Sequence, residues 1–209
     1  MQKKIEFIGL GLGWFAIITQ FILMIQNRQA SIAESIIRFF SFFTILTNLL
    51  VTLFFTIKAL NITTFKLFHK KETPTALTSF ILIVGIVYTI VLRKIWDPKG
   101  LQLIVDELLH TVIPLYMFLY WLLYTHRSKL SLPKVFQWLL YPVCYISFIL
   151  IRGTLSGFYP YPFLNVTTIG YQKTLLNIGI ILVLILVTIS ILTLANNKRN
   201  NTNLKNNPL

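Results

Sequence analysis

Residues 175–194 read LLNIGIILVLILVTISILTL, twenty consecutive residues without a charged side chain. A helix of that length rises about 30 Å, the thickness of a bilayer's hydrocarbon core. Only a helix or a closed barrel can satisfy its backbone hydrogen bonds in that medium, and an unbroken apolar run has helix rather than barrel patterning. Stretches of the same kind recur towards the N-terminus. Helical spans are predicted over residues 5–25, 36–59, 76–92, 103–124 and 135–151, which with 175–194 makes six. The sequence therefore predicts an all-α polytopic membrane protein with six transmembrane helices. Residues 1–195 form the transmembrane domain, and the Asn- and Lys-rich residues 196–209 read as a disordered cytoplasmic tail.

Composition agrees. Of the 209 residues, 56% are hydrophobic and 12% charged, where a soluble domain carries about 25% charged residues. No soluble domain of useful size fits between the spans. The net charge of +13 raises nucleic acid as a partner, but no compact basic domain is present to carry such a footprint. It reads instead as Lys and Arg in short loops. The single Cys144 excludes an internal disulfide and a cysteine metal cluster. No metal and no cofactor are implied. The expected partners are membrane lipids.

Placement of those cations sets an orientation. One set of flanks holds 12 (Lys3, Lys4, Lys58, Lys66, Lys70, Lys71, Arg127, Lys129, Lys134, Lys198, Arg199, Lys205) and the other 7 (Arg28, Arg38, Arg93, Lys94, Lys99, Arg152, Lys173), together the 19 in the chain. Both termini are expected in the cytoplasm. Lys3 and Lys4 before an apolar run, with Ser31-Ile32-Ala33 after it, resemble a secretion signal, but the run is too long for one and reads as a span. Gly9 and Gly13 in that span form a small-xxx-small pair suited to close helix packing.

Polar side chains at membrane depth are costly and point to function. The second span carries Ser41, Thr44 and Asn48 on one face, with Thr47 beside them. The fourth carries Asp106 and His110, one turn apart, with Glu107 nearer the membrane face and read as solvated. Pro114 cannot donate to the His110 carbonyl, so the helix should bend there and leave that oxygen in need of a partner. Thr44 lies about eight residues into its span, or about 12 Å, and His110 about seven residues into its own, or about 10 Å. On the expected orientation both lie in the outer half of the bilayer, level with Arg152 and the segment Tyr159-Pro160-Tyr161-Pro162-Phe163. A membrane Thr often bonds its own backbone one turn earlier, and a His beside an Asp can simply tie helices together.

Three segments resemble a known family: Phe43-Thr44-Ile45-Leu46-Thr47-Asn48, Asp106-Glu107-Leu108-Leu109-His110-Thr111-Val112-Ile113-Pro114 and Gly157-Phe158-Tyr159-Pro160-Tyr161-Pro162-Phe163-Leu164. They look like the androgen-induced protein family, which includes the androgen-dependent TFPI-regulating protein and a bacterial branch of six-helix proteins. Asn48 and the Tyr-Pro-Tyr-Pro form look more like the bacterial branch, which implies a bacterial cytoplasmic membrane. Animal members hydrolyse fatty acid esters of hydroxy fatty acids through an intramembrane Thr and a His. The resemblance implies Thr44 as nucleophile and His110 as base, with Thr47 as the neighbouring competitor, in a carboxylic ester hydrolase acting on a lipid ester.

The chemistry is coherent with those residues. A Thr hydroxyl needs an adjacent base, and imidazole ordinarily titrates near neutrality. Asp106 is a candidate to fix the imidazole tautomer, Asn48 or Tyr159 to donate to the oxyanion, and Arg152 or Arg38 to pair with a substrate carboxylate. The pairing requires a Thr44 oxygen within about 4 Å of a His110 nitrogen. Two other classes remain open: a proton-coupled small-molecule transporter using Asp106 and His110 as a relay, and a non-catalytic membrane scaffold.

Overall fold

The computed structural model describes residues 1–125 and 128–206, with side chains to residue 201. In chain order the helices are α1 (Gln2–Gln26), α2 (Ile32–Phe39), α3 (Phe43–Ala59), α4 (Lys66–His69), α5 (Thr73–Val87), α6 (Leu101–Glu107), α7 (Ile113–Tyr124), α8 (Leu132–Phe136), α9 (Leu140–Ser156) and α10 (Val166–Asn206). Wider π turns follow α5 at Tyr88–Leu92 and join α6 to α7 at Leu108–Val112. No strand occurs among the described residues. Among the described residues, five segments are long and apolar enough to cross a membrane: Gln2–Gln26, Thr73–Leu92, Leu101–Tyr124, Leu132–Ser156 and Val166–Asn201. A sixth arises if α2 and α3, bent by 68° at their junction, are taken as one span. The chain is an all-α polytopic membrane protein.

The bend departs from the straight helix expected over residues 36–59. Ser31 caps α2 by accepting from the Glu34 N–H at 3.3 Å. α2 buries Ser35 and Phe39 and leaves Ile32, Ile36, Ile37 and Phe40 outward, an amphipathic pattern suited to the membrane face. Glu34 Oε1 accepts from Arg38 Nε at 2.8 Å and from Arg152 Nη2 at 2.7 Å, which ties α2 to the far end of α9. At the junction Ser41 Oγ donates to the Ile37 carbonyl at 2.7 Å, and Tyr145 Oη donates to the Ser41 carbonyl at 2.9 Å. Backbone groups stranded by a break at membrane depth thus find partners. Thr44 consequently occupies the first turn of α3. The rise of α2, about 12 Å for its 8 residues, is turned 68° from α3, so Thr44 begins a new helix instead of lying two turns into a straight one.

α3 is the central helix, with Thr44, Thr47, Asn48, Val51, Thr52, Phe54 and Phe55 buried. Gly9 and Gly13 let α1 lie against it: a Cβ at Gly9 would meet the Phe55 ring at 2.8 Å, and one at Gly13 would collide with the Thr52 side chain. Trp14 Nε1 donates to Thr56 Oγ1 at 3.1 Å across the same seam. At the end of the bundle away from Thr44, Lys3 Nζ donates to the Lys58 carbonyl and to Asn61 Oδ1, both at 2.6 Å. The buried Glu6 there accepts from Tyr120 Oη at 2.7 Å and Gln2 Nε2 at 3.0 Å.

α10 turns sharply at Gly170 (φ 77°, ψ 162°) and then runs continuously to Asn206. The expected disorder from residue 196 is replaced by helix. Asn196 Nδ2 donates to the Ser128 carbonyl at 2.8 Å, while Asn197 accepts from the Leu130 N–H at 2.8 Å and donates to its carbonyl at 3.0 Å. Amides that read as low-complexity tail therefore pair with the chain entering α8. Residues 207–209 of that tail lie outside the described residues, as does Arg127.

Candidate active site

Thr44 Oγ1 stands 3.3 Å from His110 Nε2, across 66 positions of sequence. His110 sits within the π turn Leu108–Val112. Pro114 removes the N–H that would close an α turn on the His110 carbonyl, and the helix widens there instead of only bending. The Ile113 N–H reaches back to the Leu108 carbonyl, the five-residue step of a π turn, a form frequent at functional sites. The freed His110 carbonyl faces Gly85 on α5, where a Cβ would approach it to 2.9 Å. Gly85 is what lets the two helices come this close.

The imidazole is held on all sides. Its Nδ1 lies 2.9 Å from the Asp106 backbone carbonyl and 3.4 Å from Asp106 Oδ1. Both are acceptors, so Nδ1 carries the proton and Nε2 is left to accept from the Thr44 hydroxyl. Tyr88, in the other π turn, stacks on the ring with centroids 4.1 Å apart and planes at 17°. The side chains of His110 and Asp106 are only 11% and 7% exposed, and at that depth a partnered polar group interacts strongly. Asp106 Oδ2 and Asn48 Oδ1 are buried without a hydrogen-bond partner among the described residues.

On the other side of Thr44 stands Tyr161. Its Oη accepts from the Thr44 backbone N–H at 3.2 Å and lies 3.3 Å from Thr44 Oγ1. That N–H belongs to the first turn of α3, where no intrahelical acceptor is available. The hydroxyl that satisfies it keeps its own proton to donate, at the positive end of the helix dipole.

Several sequence expectations change here. Tyr159 is not the residue that reaches the site: its ring packs against Gly153, where a Cβ would collide with it. Tyr161, two positions on, takes that place, carried inward by the turn Pro162–Leu164. Asn48 is not poised to donate to an oxyanion, because its Nδ2 already bonds the Thr44 carbonyl at 2.9 Å and the Leu109 carbonyl at 3.1 Å. It ties α3 to the π turn instead. Thr47 turns away from His110 and pairs with Tyr141 Oη at 2.9 Å. Glu107 is not merely solvated, since it pairs with Arg93 and accepts from Thr111 Oγ1 at 2.7 Å. Arg152, its side chain 10% exposed, is paired with Glu34 rather than open to a ligand. Arg152 and Arg38 also flank the Phe158 ring, with guanidinium carbons 5.0 and 4.5 Å from its centroid.

A cleft opens beside Thr44, with Thr44 and Tyr161 in its wall and His110 outside it. Its walls are Ile83 and Val87 of α5, Tyr145 and Ile146 of α9, and Ile178 and Ile181 of α10, among other apolar side chains.

Comparison with family models, with curated proteins and with solved structures gives no match. The fold and site together define a class: an all-α polytopic membrane protein with a buried Thr–His–Asp cluster at the start of a bent helix.

Proposed function

We propose that this protein is an intramembrane hydrolase of lipid esters, with Thr44 as nucleophile and His110 as general base, and that it is a bacterial-branch relative of the androgen-induced protein family. The observation that carries the reading is the 3.3 Å approach of Thr44 Oγ1 to a His110 Nε2 whose opposite nitrogen faces only acceptors. In this scheme Nε2 takes the hydroxyl proton as Oγ1 attacks the ester carbonyl. Tyr161 Oη donates to the oxyanion, aided by the α3 N-terminus. Collapse of the adduct expels the alkoxide, which takes the proton from His110 and leaves as the alcohol, so that Thr44 is acylated. Water then gives a proton to Nε2 as its oxygen attacks the acyl-Thr44 carbonyl, and the adduct collapses to the carboxylic acid while Nε2 returns that proton to Thr44 Oγ1. Asp106 keeps the imidazole in the required tautomer.

Position supports the same reading. On the expected orientation Thr44 lies in the outer half of the bilayer, towards the level where ester groups of amphiphilic lipids lie, so a substrate can arrive sideways from the bilayer. The resemblance to the bacterial branch supports a bacterial cytoplasmic membrane, and the cation bias of the loops supports both termini in the cytoplasm. The decisive comparison is turnover of a lipid ester by purified wild type, Thr44→Ala and His110→Ala, each checked for folding. Loss in both variants is expected, and retention of wild-type turnover in both would rule the mechanism out. A proton-coupled transporter is the second reading, favoured by the bent α2–α3 pair meeting a buried acid–imidazole cluster. It requires proton-gradient-dependent flux in proteoliposomes without ester turnover.

A further inference from the structure

We infer that the cleft between α5, α9 and α10 holds the acyl chain, rather than the alcohol, of the ester cleaved at Thr44, and that Ile181 and Ile185 set the chain length it accepts. This rests on the hydrolase reading and adds to it which side of the scissile bond the protein selects.

The assignment follows from the corners of a tetrahedral adduct on Thr44. One corner is Oγ1 itself. A second is the oxyanion, which faces Tyr161. The third is the leaving oxygen, which must be reached by the same Nε2 that took the Thr44 proton, because His110 returns that proton to it. The leaving alcohol therefore lies on the His110 side. The fourth corner, the acyl carbon chain, points away from His110, and the cleft begins there: Thr44 is part of its wall and His110 is not.

The chemistry of the walls admits only an aliphatic occupant. No charged side chain lines the cleft. Its polar members are Thr44, Tyr161 and Tyr145, and the Tyr145 hydroxyl is committed to the Ser41 carbonyl. A polar or charged acyl group would lose its hydration there without a partner.

Length follows from α10. Ile178, Ile181 and Ile185 fall on one face of that helix and line the cleft in succession. From Ile178 to Ile185 the helix rises about 10 Å. A zigzag chain of C–C bonds about 1.5 Å long spans that distance with about eight carbons. A chain arriving from the bilayer is already out of water, so the cleft selects by the packing contacts that each methylene fills and by where the cleft ends.

The test uses two isomeric photoprobes on the full-length Thr44→Ala protein in lipid nanodiscs. Both are octyl octanoate, with a diazirine at the far end of the acyl chain in one and of the alkyl chain in the other. Adducts are mapped by mass spectrometry. The acyl-end probe is expected to label α10 around Ile181 and Ile185, with labelling lost in Thr44→Ala/Ile181→Trp and kept in Thr44→Ala/Leu176→Trp, since Leu176 is 64% exposed on the lipid side. The alkyl-end probe should miss these positions. Equal labelling by both probes, or adducts confined to Leu175, Leu176 and Val183, overturns the assignment.

Turnover of p-nitrophenyl esters from acetate to palmitate by the active protein is the companion measurement. The rise of kcat/KM with acyl length is expected to stop near eight carbons and to stop several carbons earlier in Ile181→Trp. A flat profile, or one that Ile181→Trp leaves in place, also overturns the assignment. If no ester is turned over while the acyl-end probe still labels the cleft selectively, the chain site stands and the hydrolase reading falls.

Discussion

The phenolic oxygen of Tyr161 lies 3.2 Å from the backbone nitrogen of Thr44 and 3.3 Å from its Oγ1, so one buried hydroxyl serves both the start of α3 and the side chain that the proposed chemistry uses. Tyr161→Phe keeps the ring and removes the hydroxyl from both the Thr44 N–H and Thr44 Oγ1. Removal of one oxyanion donor typically lowers kcat by about 100- to 1,000-fold, and a fall of that order with little change in KM is expected in steady-state ester turnover. Tyr159→Phe should leave kcat near wild type, because the ring that packs on Gly153 is kept.

Asp106→Asn tests how the imidazole is oriented. In serine-protease triads the corresponding change costs about 10⁴-fold in kcat. Here the Asp106 backbone carbonyl also accepts from Nδ1 at 2.9 Å and survives the substitution. A smaller loss, about 10- to 100-fold, is therefore expected in the same assay, carried by kcat. A loss as large as that of His110→Ala would mean that the carboxylate alone holds the ring.

Gly85→Ala places a methyl 2.9 Å from the His110 carbonyl. Overpacking of this kind costs about 1–3 kcal/mol, and the π turn that carries His110 is what must give. A lower Tm in detergent is expected, with a loss of turnover larger than the loss of folded protein explains.

Glu34→Gln unpairs Arg152, whose side chain is 10% exposed, and Arg38 with it. A buried cation left without its carboxylate is costly. Amide exchange across α2 should accelerate about tenfold or more, while α3 beyond its first turn keeps its protection. Unchanged exchange in α2 would mean that the apolar face of that helix alone anchors it.

The spans were legible because a bilayer leaves few alternatives: each apolar run of sufficient length became helical, with boundaries moved by a few residues except at 36–59, which breaks in two, and 175–194, which extends to Val166–Asn206. The Asp106–His110–Pro114 spacing was legible for a similar reason, since one turn of helix brings the first two together and proline's missing N–H must be answered by the backbone. What stayed hidden depends on tertiary partners. Nothing at residues 40–42 marks a break, as there is neither Pro nor Gly, and the break stands because Tyr145 and Tyr161, more than 100 positions away, take up its backbone groups. Tyr159 and Tyr161 alternate with Pro160 and Pro162, and only the packing of Tyr159 on Gly153 decides which ring turns inward. Asn48 was expected to face a substrate, but the Leu109 carbonyl beside the π turn claims its amide. The helical tail was hidden because Asn196 and Asn197 read as low complexity until the chain entering α8 is laid beside them.

Covalent labelling of the purified protein by a fluorophosphonate probe, mapped by peptide mass spectrometry, tests the proposed chemistry at its centre. A phosphonyl adduct on Thr44 is expected in the wild type, blocking ester turnover in step with labelling and falling by at least about 100-fold in His110→Ala, the range of general-base assistance. Ester turnover that continues with Thr44 unlabelled, an adduct on another residue, or labelling of Thr44 that is unaffected by loss of His110 would contradict it.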